Sequence, residues 1–587
     1  MGAREKKPLS EVLDTPPFEL GPRFDVQPDG VVYIGVKRDR ETGGMIELPP
    51  VWLCDPVEIL GCGTDGAGRQ HRVLRWKRQG NREVICMAIP NAEIGERDGW
   101  ARLRNGGLTL ATERSALTKL AFWLQKGGPD EWFDIVTMPG WQHGAYVLPN
   151  GEIIGTPISK MHFNGSEKDS SAFRTAGTLD DWKNHVGRLA KGNPLVIASV
   201  ACALAGPLLE LIGSRDGIGL HLYTLTSSGK STCGDTGASV WGNPERTMRT
   251  WDGTTLSFSN AAETRNDMLL YLDEIGAGDA RKIGPAIYGM LNGSSRMQGA
   301  RDGGNRESRS WLVSLISTGE VGMSQYQIEG GQKPRGGQEI RLLDIPADSG
   351  KYRAFDCIHE LPDGEVFANT LTSAARANYG TLGRAFVTWL IEHRAEAVDW
   401  VKSAQDMMLA AVPEKAAAPV RRATRKFAVL LAAVEMASHA DLTGWSTEEA
   451  SEGVMATWHR WLAAFGLEDR DDARLVDQAE AALQSHQYSR FLLLPLSASG
   501  DEKPIHNLMG YRRFEPNGDL VFLVLPGAFK SEVVVGYEVR RACEVLHKAG
   551  MLDRPTGRNG WTTNGGRGIG QIYKMRPLKA DDEASAA

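Results

Sequence analysis

At 587 residues, with 41% apolar and 24% charged residues, the chain has ordinary globular composition and length for roughly two to four domains. A net charge of −6 excludes a polycation, so any nucleic-acid binding must come from local basic patches. Its seven scattered cysteines lack zinc-ligand spacing, no stretch reads as a membrane span, and the Met1-Gly2-Ala3-Arg4 start has no apolar signal core. The expectation is a cytoplasmic protein with reduced thiols and no membrane contact.

Residues 1–30, rich in proline and charge, read as a flexible lead-in. Residues 31–178 hold short alternating apolar segments such as 31–36 and 84–89, separated by turn residues, which predicts a mixed, β-rich N-terminal domain. A helix opens at 179–182. The alanine-dense stretch 193–212 is apolar all round and predicts a buried helix. Across 179–350 strands and helices alternate, the pattern of an α/β core with a parallel sheet.

Within that core an apolar strand from Gly219 runs into Thr224-Leu225-Thr226-Ser227-Ser228-Gly229-Lys230-Ser231-Thr232 and then a helix. This is the pattern of a phosphate-binding P-loop. Loop amides and a helix N-terminus direct partial positive charge at a phosphate. The predicted cofactor-binding residues are Thr226, Ser227, Ser228, Gly229, Lys230, Ser231 and Thr232, for ATP. Lys230 would reach the β/γ-phosphates and Ser231 would ligate Mg²⁺. The pattern asks for glycine where Thr224 stands, so the loop entrance is expected to differ in shape. A second apolar strand ends in Asp273-Glu274. Asp273 would hold the Mg²⁺ shell and Glu274 would polarise water. A third, 311–320, ends in hydroxyls, and Ser317 or Thr318 could meet the γ-phosphate there; a plain strand end is the competing reading.

Several motifs together resemble one family: Gly192-Asn193-Pro194, the Gly219 to Thr232 run, Ser239-Val240-Trp241-Gly242, Leu272-Asp273-Glu274-Ile275, Tyr288-Gly289-Met290-Leu291-Asn292-Gly293 and Leu315-Ile316-Ser317-Thr318-Gly319-Glu320. The chain from about 52 to 346 is similar to the bacterial and phage family catalogued as domain of unknown function 927. Its members look like AAA+ helicases, some compared with the minichromosome maintenance replicative helicases. The fold class implied is α/β: a P-loop AAA+ ATPase core with a mixed β-rich N-terminal domain, a helical lid and a C-terminal winged helix.

The resemblance also implies a pore hairpin between the second and third strands. The segment 293–309 holds four arginines, two acids and four glycines, and Asp302-Gly303-Gly304 could close a hairpin. Arg296 and Arg301 are the candidates for holding single-stranded DNA by its phosphates. A ring ATPase completes its site with arginines from a neighbour or a lid. Arg341 is the first choice for the neighbour's finger and Arg335 the second. The lid region is 351–470, and a helix at 420–439 would carry the lid arginine, Arg425. Residues 471–580 read as a basic winged-helix-like domain, followed by a tail at 581–587. From Arg540 to Lys579 there are nine Lys/Arg against two acids, and Arg558 and Arg567 sit in its glycine-rich loop as candidates for duplex contact. The implied machine is a homo-oligomer, a hexamer by resemblance, moving DNA during replication of a phage or mobile element. A nucleotide-switched DNA-binding or defence ATPase is the alternative. A small-molecule kinase fits the Asp-Glu pair and the basic C-terminal module poorly.

Overall fold

The computed structural model describes residues 20–165, 170–225, 229–294, 309–334, 336–348, 350–495, 505–556, 560–566 and 568–578. The fold is mixed α/β, with a β-rich N-terminal region and a helical part after the central sheet. In the N-terminal region Gly30–Ile34 lies between Arg23–Gln27 and Val51–Cys54, all antiparallel. A five-stranded sheet runs in the order Met161–Phe163, Trp132–Val136, Val57–Asp65, Gln70–Lys77, Val84–Pro90. Val57–Asp65 buries every second residue, as expected for a strand with one covered face. The helices Arg97–Asn105 and Arg114–Lys126 cover that region through Trp100, Leu103, Ala116, Leu120 and Leu124.

The central sheet is parallel throughout. Its strands are β1 (Ile218–Tyr223), β2 (Arg249–Thr250), β3 (Met268–Asp273), β4 (Val313–Gly319) and β5 (Leu342–Pro346). Their order across the sheet is β5-β1-β4-β3-β2. Both faces are covered, which explains why β1, β3 and β4 read as unbroken apolar runs. On one face Leu269, Tyr271, Ile316 and Leu343 pack towards helix α1 (Pro194–Leu211) and helix α2 (Lys230–Ser239). On the other, Leu270, Leu272, Leu315 and Leu342 meet α3 (Thr255–Glu263) and α4 (Ala280–Leu291).

Helix α1 corrects one expectation. Its 18 residues are, by length and composition, enough to cross a membrane, although the sequence reading found no such stretch. Here 83% of them are buried inside the fold, where α1 is the central core helix.

The apolar core does not break at residue 350. The same cluster continues through α5 (Gly364–Ala377), α6 (Ala418–His439) and α7 (Thr447–Phe465). The helix expected at 420–439 is α6. Helix α6 is buried along nearly its whole length and packs on α1. Its Lys426 ammonium donates to Asp216 at 3.2 Å and to the Gly217 carbonyl at 2.5 Å. Burial pulls that ammonium down to about 8, against the pull of Asp216. Asp216 and Gly217 precede β1, so α6 braces the N-terminal edge of the sheet.

Helices α8 (Arg470–His486) and α9 (Val539–Lys548) build a further unit with its own core. After α9, Thr563–Asn564 and Gln571–Met575 pair antiparallel. The unit docks on the central domain through Glu339, 4% exposed, which takes Arg474 at 2.5 Å and Arg470 at 3.4 Å.

Asp267, just ahead of β3, ties the N-terminal region to the core. Its carboxylate accepts from the Trp141 amide (3.1 Å) and Asn266 Nδ2 (2.9 Å), and its carbonyl accepts from the Tyr146 hydroxyl (2.6 Å). Burial pushes its pKa up to about 8, despite the two donors. An acid raised this way binds its proton more tightly folded than unfolded, so its contribution falls as pH rises between roughly 4 and 8. Its φ of 55° is one that asparagine tolerates. Asp267→Asn is therefore expected to raise the melting temperature by on the order of 3 °C at pH 8, with the gain vanishing towards pH 4. Melting curves across that range check it; a difference independent of pH counts against it.

Candidate active site

Because the sheet is parallel, the C-terminal ends of β1, β3 and β4 share one edge, and β4 lies between the other two. The residues expected to carry chemistry follow or end these strands. After β1, Gly229 takes φ 94°, a left-handed conformation that suits glycine, and α2 begins at Lys230. The first turn of α2 thus faces the ends of β3 and β4.

Thr224 stands where the pattern asks for glycine. It is buried, its φ is not positive, and its amide donates to the Gly319 carbonyl at 3.2 Å. Its carbonyl accepts from Lys230 Nζ at 2.7 Å, and the Leu225 carbonyl does so at 3.1 Å. Burial lowers the Lys230 pKa, while Glu274, Glu320 and Asp273 pull it up.

The Ser231 hydroxyl lies 3.2 Å and 3.4 Å from the two Asp273 carboxylate oxygens. The Tyr271 hydroxyl reaches Asp273 Oδ1 at 3.2 Å, and the Thr318 hydroxyl donates to the same oxygen. Thr318 Oγ1 also accepts from the Glu274 amide at 3.1 Å. Glu274 is exposed, with φ 56° and its carboxylate on the Gly276 amide at 3.1 Å. A non-glycine residue held left-handed at a strand end stores strain where side chains converge.

Between the two third-strand hydroxyls, the structure brings only Thr318 to this cluster. Ser317 points to the other face and is fully buried. It accepts from Trp251 Nε1 at 3.0 Å and sits 2.9 Å from His221 Nδ1. His221 Nε2 lies 3.0 Å from the Val321 carbonyl, which can only accept. So Nε2 carries the proton and Nδ1 takes the Ser317 hydroxyl hydrogen. Burial holds His221 neutral, its pKa down to about 4. Sequence reading missed His221, yet a histidine between Leu220 and Leu222 in a buried strand was a signal.

Thr232 also turns from the cluster, its hydroxyl 3.2 Å from that of Thr372 on α5. Arg341 and Arg425 are not brought to Lys230. Arg341 immediately precedes β5, at the opposite edge of the sheet, and there lies 3.3 Å from Asp216 and against the Tyr288 ring. Arg425 neighbours Lys426 on α6 at that same edge and is exposed. Thr226, Ser227, Ser228, Arg296, Arg301, Arg335, Arg558 and Arg567 lie outside the described residues, as does Asp302-Gly303-Gly304. Among the described residues no group of three or more His, Cys, Asp or Glu could hold a metal ion by itself.

Residues 24–310 match the model of the domain of unknown function DUF927, starting earlier and ending sooner than the motif resemblance. No curated protein matches the chain. The fold is similar to a solved structure described as SCCmec type IV Cch, an active helicase, with TM-score 0.67 and 16% identity, over 96% of this chain and 98% of that one. The A form apo structure of the NrS-1 C terminal region aligns at TM-score 0.24 and 11% identity, over 70% of this chain and 92% of that one, too distant to bear on the fold. The motifs around Lys230 and Asp273 thus lie in the stretch, residues 24–310, that matches the DUF927 model.

Proposed function

We propose that the chain is an ATP-dependent DNA helicase or translocase built on a P-loop AAA+ core. The observation that carries this reading is the meeting of Ser231, at the start of α2, with Asp273, at the end of β3, at 3.2 Å. A hydroxyl and a carboxylate so placed suit Mg²⁺, a hard cation that keeps water and phosphate oxygens as its other ligands. When bound, Mg²⁺ neutralises charge on the β- and γ-phosphates. Lys230 exchanges its two loop carbonyls for phosphate oxygens. Glu274, exposed beside Asp273, orients and polarises the attacking water. Thr318 holds Asp273 and the Glu274 backbone in register, close to where the γ-phosphate sits. The sheet order β5-β1-β4-β3-β2 supports this reading, since it puts the third strand between the loop strand and the acidic strand.

In this proposal six subunits form a ring and each site lies at a subunit boundary. Arg341 is the neighbour's finger once it exchanges Asp216 for phosphate, and Arg335 is the alternative. Arg425 would need a rearrangement of α6 to take part, and is dropped as a lid residue of its own site. Arg296 and Arg301 hold single-stranded DNA in the pore. The C-terminal unit is a winged helix, with Arg558 and Arg567 on duplex DNA. The setting is replication of a mobile element or phage in the cytoplasm, in line with the mobile-element helicase of similar fold.

The test is the ATPase rate with and without single-stranded DNA, for wild type and for Arg301→Ala. DNA should stimulate the wild type several-fold, and Arg301→Ala should keep its basal rate and lose the stimulation. Hydrolysis indifferent to DNA would instead favour the nucleotide-switched ATPase that does not unwind.

A further inference from the structure

Segment 350–360 joins the central sheet to α5 and passes against Gly229. Its path is irregular. Arg353, His359 and Glu360 have φ of 65°, 47° and 65°, three left-handed non-glycine residues within eight positions. Such a path persists only where its surroundings over-determine it, and here they do.

The main anchor is Asn193, fully buried just ahead of α1. Its Nδ2 donates to the carbonyls of Leu189 (3.1 Å) and Cys357 (2.9 Å), and its Oδ1 accepts from the amides of Asp356 (2.9 Å) and Cys357 (3.1 Å). Both donors and both lone pairs of the side-chain amide are therefore used. Two further ties flank it. Arg460 of α7 donates to Asp356 at 2.5 Å, and His359 Nε2 donates to the Lys191 carbonyl at 2.8 Å.

These anchors press Phe355 against the loop. The ring is 1% exposed and stacks edge-on to Phe367 at 4.8 Å between centroids. Its far edge is so near Gly229 that a Cβ there would lie 2.4 Å from Phe355 Cζ. The ring and the left-handed turn at Gly229 together decide how the chain enters α2, and so where the Lys230 amide points.

We infer that Phe355 is a positioning residue for Gly229 and the start of α2, and that Asn193 is its anchor; this rests on the reading of the loop before Lys230 as an ATP site. A turn at Gly229 that is set before ligand arrives loses less freedom on binding. Without the ring, Gly229 explores other conformations and only a fraction of molecules can bind. If that fraction falls to about a tenth, the apparent Kd rises about tenfold. Asp273, Glu274 and Thr318 stand on other strands, so the cost falls on binding more than on the chemical step. The same ties give the loop a mechanical route to α7, by way of Asp356 and Arg460.

The experiment measures Kd for a fluorescent ATP analogue, KM and kcat for ATP, and melting temperature for the full chain. It compares wild type, Phe355→Leu, Phe355→Met and Asn193→Ala with Phe367→Leu, which loosens the same core but does not touch Gly229. The expected result is a Kd and KM about tenfold higher in the Phe355 and Asn193 variants, with a smaller fall in kcat, while Phe367→Leu binds nucleotide like wild type. Should Phe355→Leu or Asn193→Ala not fold, the milder Phe355→Met decides. Phe355 variants that bind within about twofold of wild type, or a Phe367→Leu that weakens binding as much, would overturn the inference. A wild type that binds no nucleotide at all would sink the ATP-site reading itself, which is a separate and recognisable outcome.

Discussion

Lys230→Ala is expected to abolish ATP hydrolysis, with a loss on the order of 10²–10³-fold or more. Among the described residues, the ammonium is the cation that stands in the cluster with Asp273 and Glu274. It is buried enough for its pKa to fall, which means that its charge acts through a medium that screens it weakly. In its present position it donates to the carbonyls of Thr224 and Leu225, at the mouth of the loop. Those carbonyls can take water in its place, so the variant should fold. On the proposed mechanism, what disappears is a positive charge aimed at the γ-phosphate as negative charge builds up on transfer. Phosphate release and binding of a fluorescent ATP analogue, with a melting curve as folding control, read this out. Hydrolysis within about tenfold of wild type in a folded variant would remove Lys230 from the mechanism.

Glu274→Gln should separate binding from chemistry. The carboxylate accepts from the Gly276 amide at 3.1 Å, and the glutamine carbonyl can accept the same bond. Its backbone bond to Thr318 and its left-handed φ do not depend on the charge. The variant therefore keeps the local structure and loses only the carboxylate proposed to polarise water. Hydrolysis should fall by about 10²–10⁴-fold while nucleotide affinity stays near that of wild type. In a DNA motor it should also hold ATP and DNA together in a stalled complex, visible as slow release of both. If Glu274→Gln turned over ATP normally, the water-activating role would pass to another group, and Glu274 would be a strained cap of the turn after β3. Taken with Lys230→Ala, which loses both steps, it divides the site into a binding half on α2 and a catalytic half on β3.

The elements most legible in the sequence are those whose signal is local. Strands β1, β3 and β4 are covered on both faces, so each reads as an apolar run with a polar end. Gly229-Lys230-Ser231 and Asp273-Glu274 are contiguous, and backbone geometry alone puts each group at a strand end. That Ser231 and Asp273 would meet also follows once the sheet is parallel, because parallel strands send their C-terminal ends to one edge.

The choice between Ser317 and Thr318 was beyond the sequence, because adjacent residues on a strand point to opposite faces. Only the positions of His221 and Trp251 on one side, and of Asp273 on the other, decide which hydroxyl faces the cluster. The seat of helix α6 was beyond the sequence for a similar reason. Its apolar stripe suits a lid and a core helix equally, and its seat was decided by Asp216, 210 residues earlier, meeting Lys426. Phe355 carries no local mark at all, and the motif Gly192-Asn193-Pro194 marks Asn193 without saying what it anchors. The bonds of Asn193 reach 163 and 164 residues along the chain, and loop closure on that scale leaves no spacing to read. The chemistry of this protein is thus written in short segments whose meaning is local, whereas the support that aims it was decided by packing between segments far apart, which only the tertiary structure brings together.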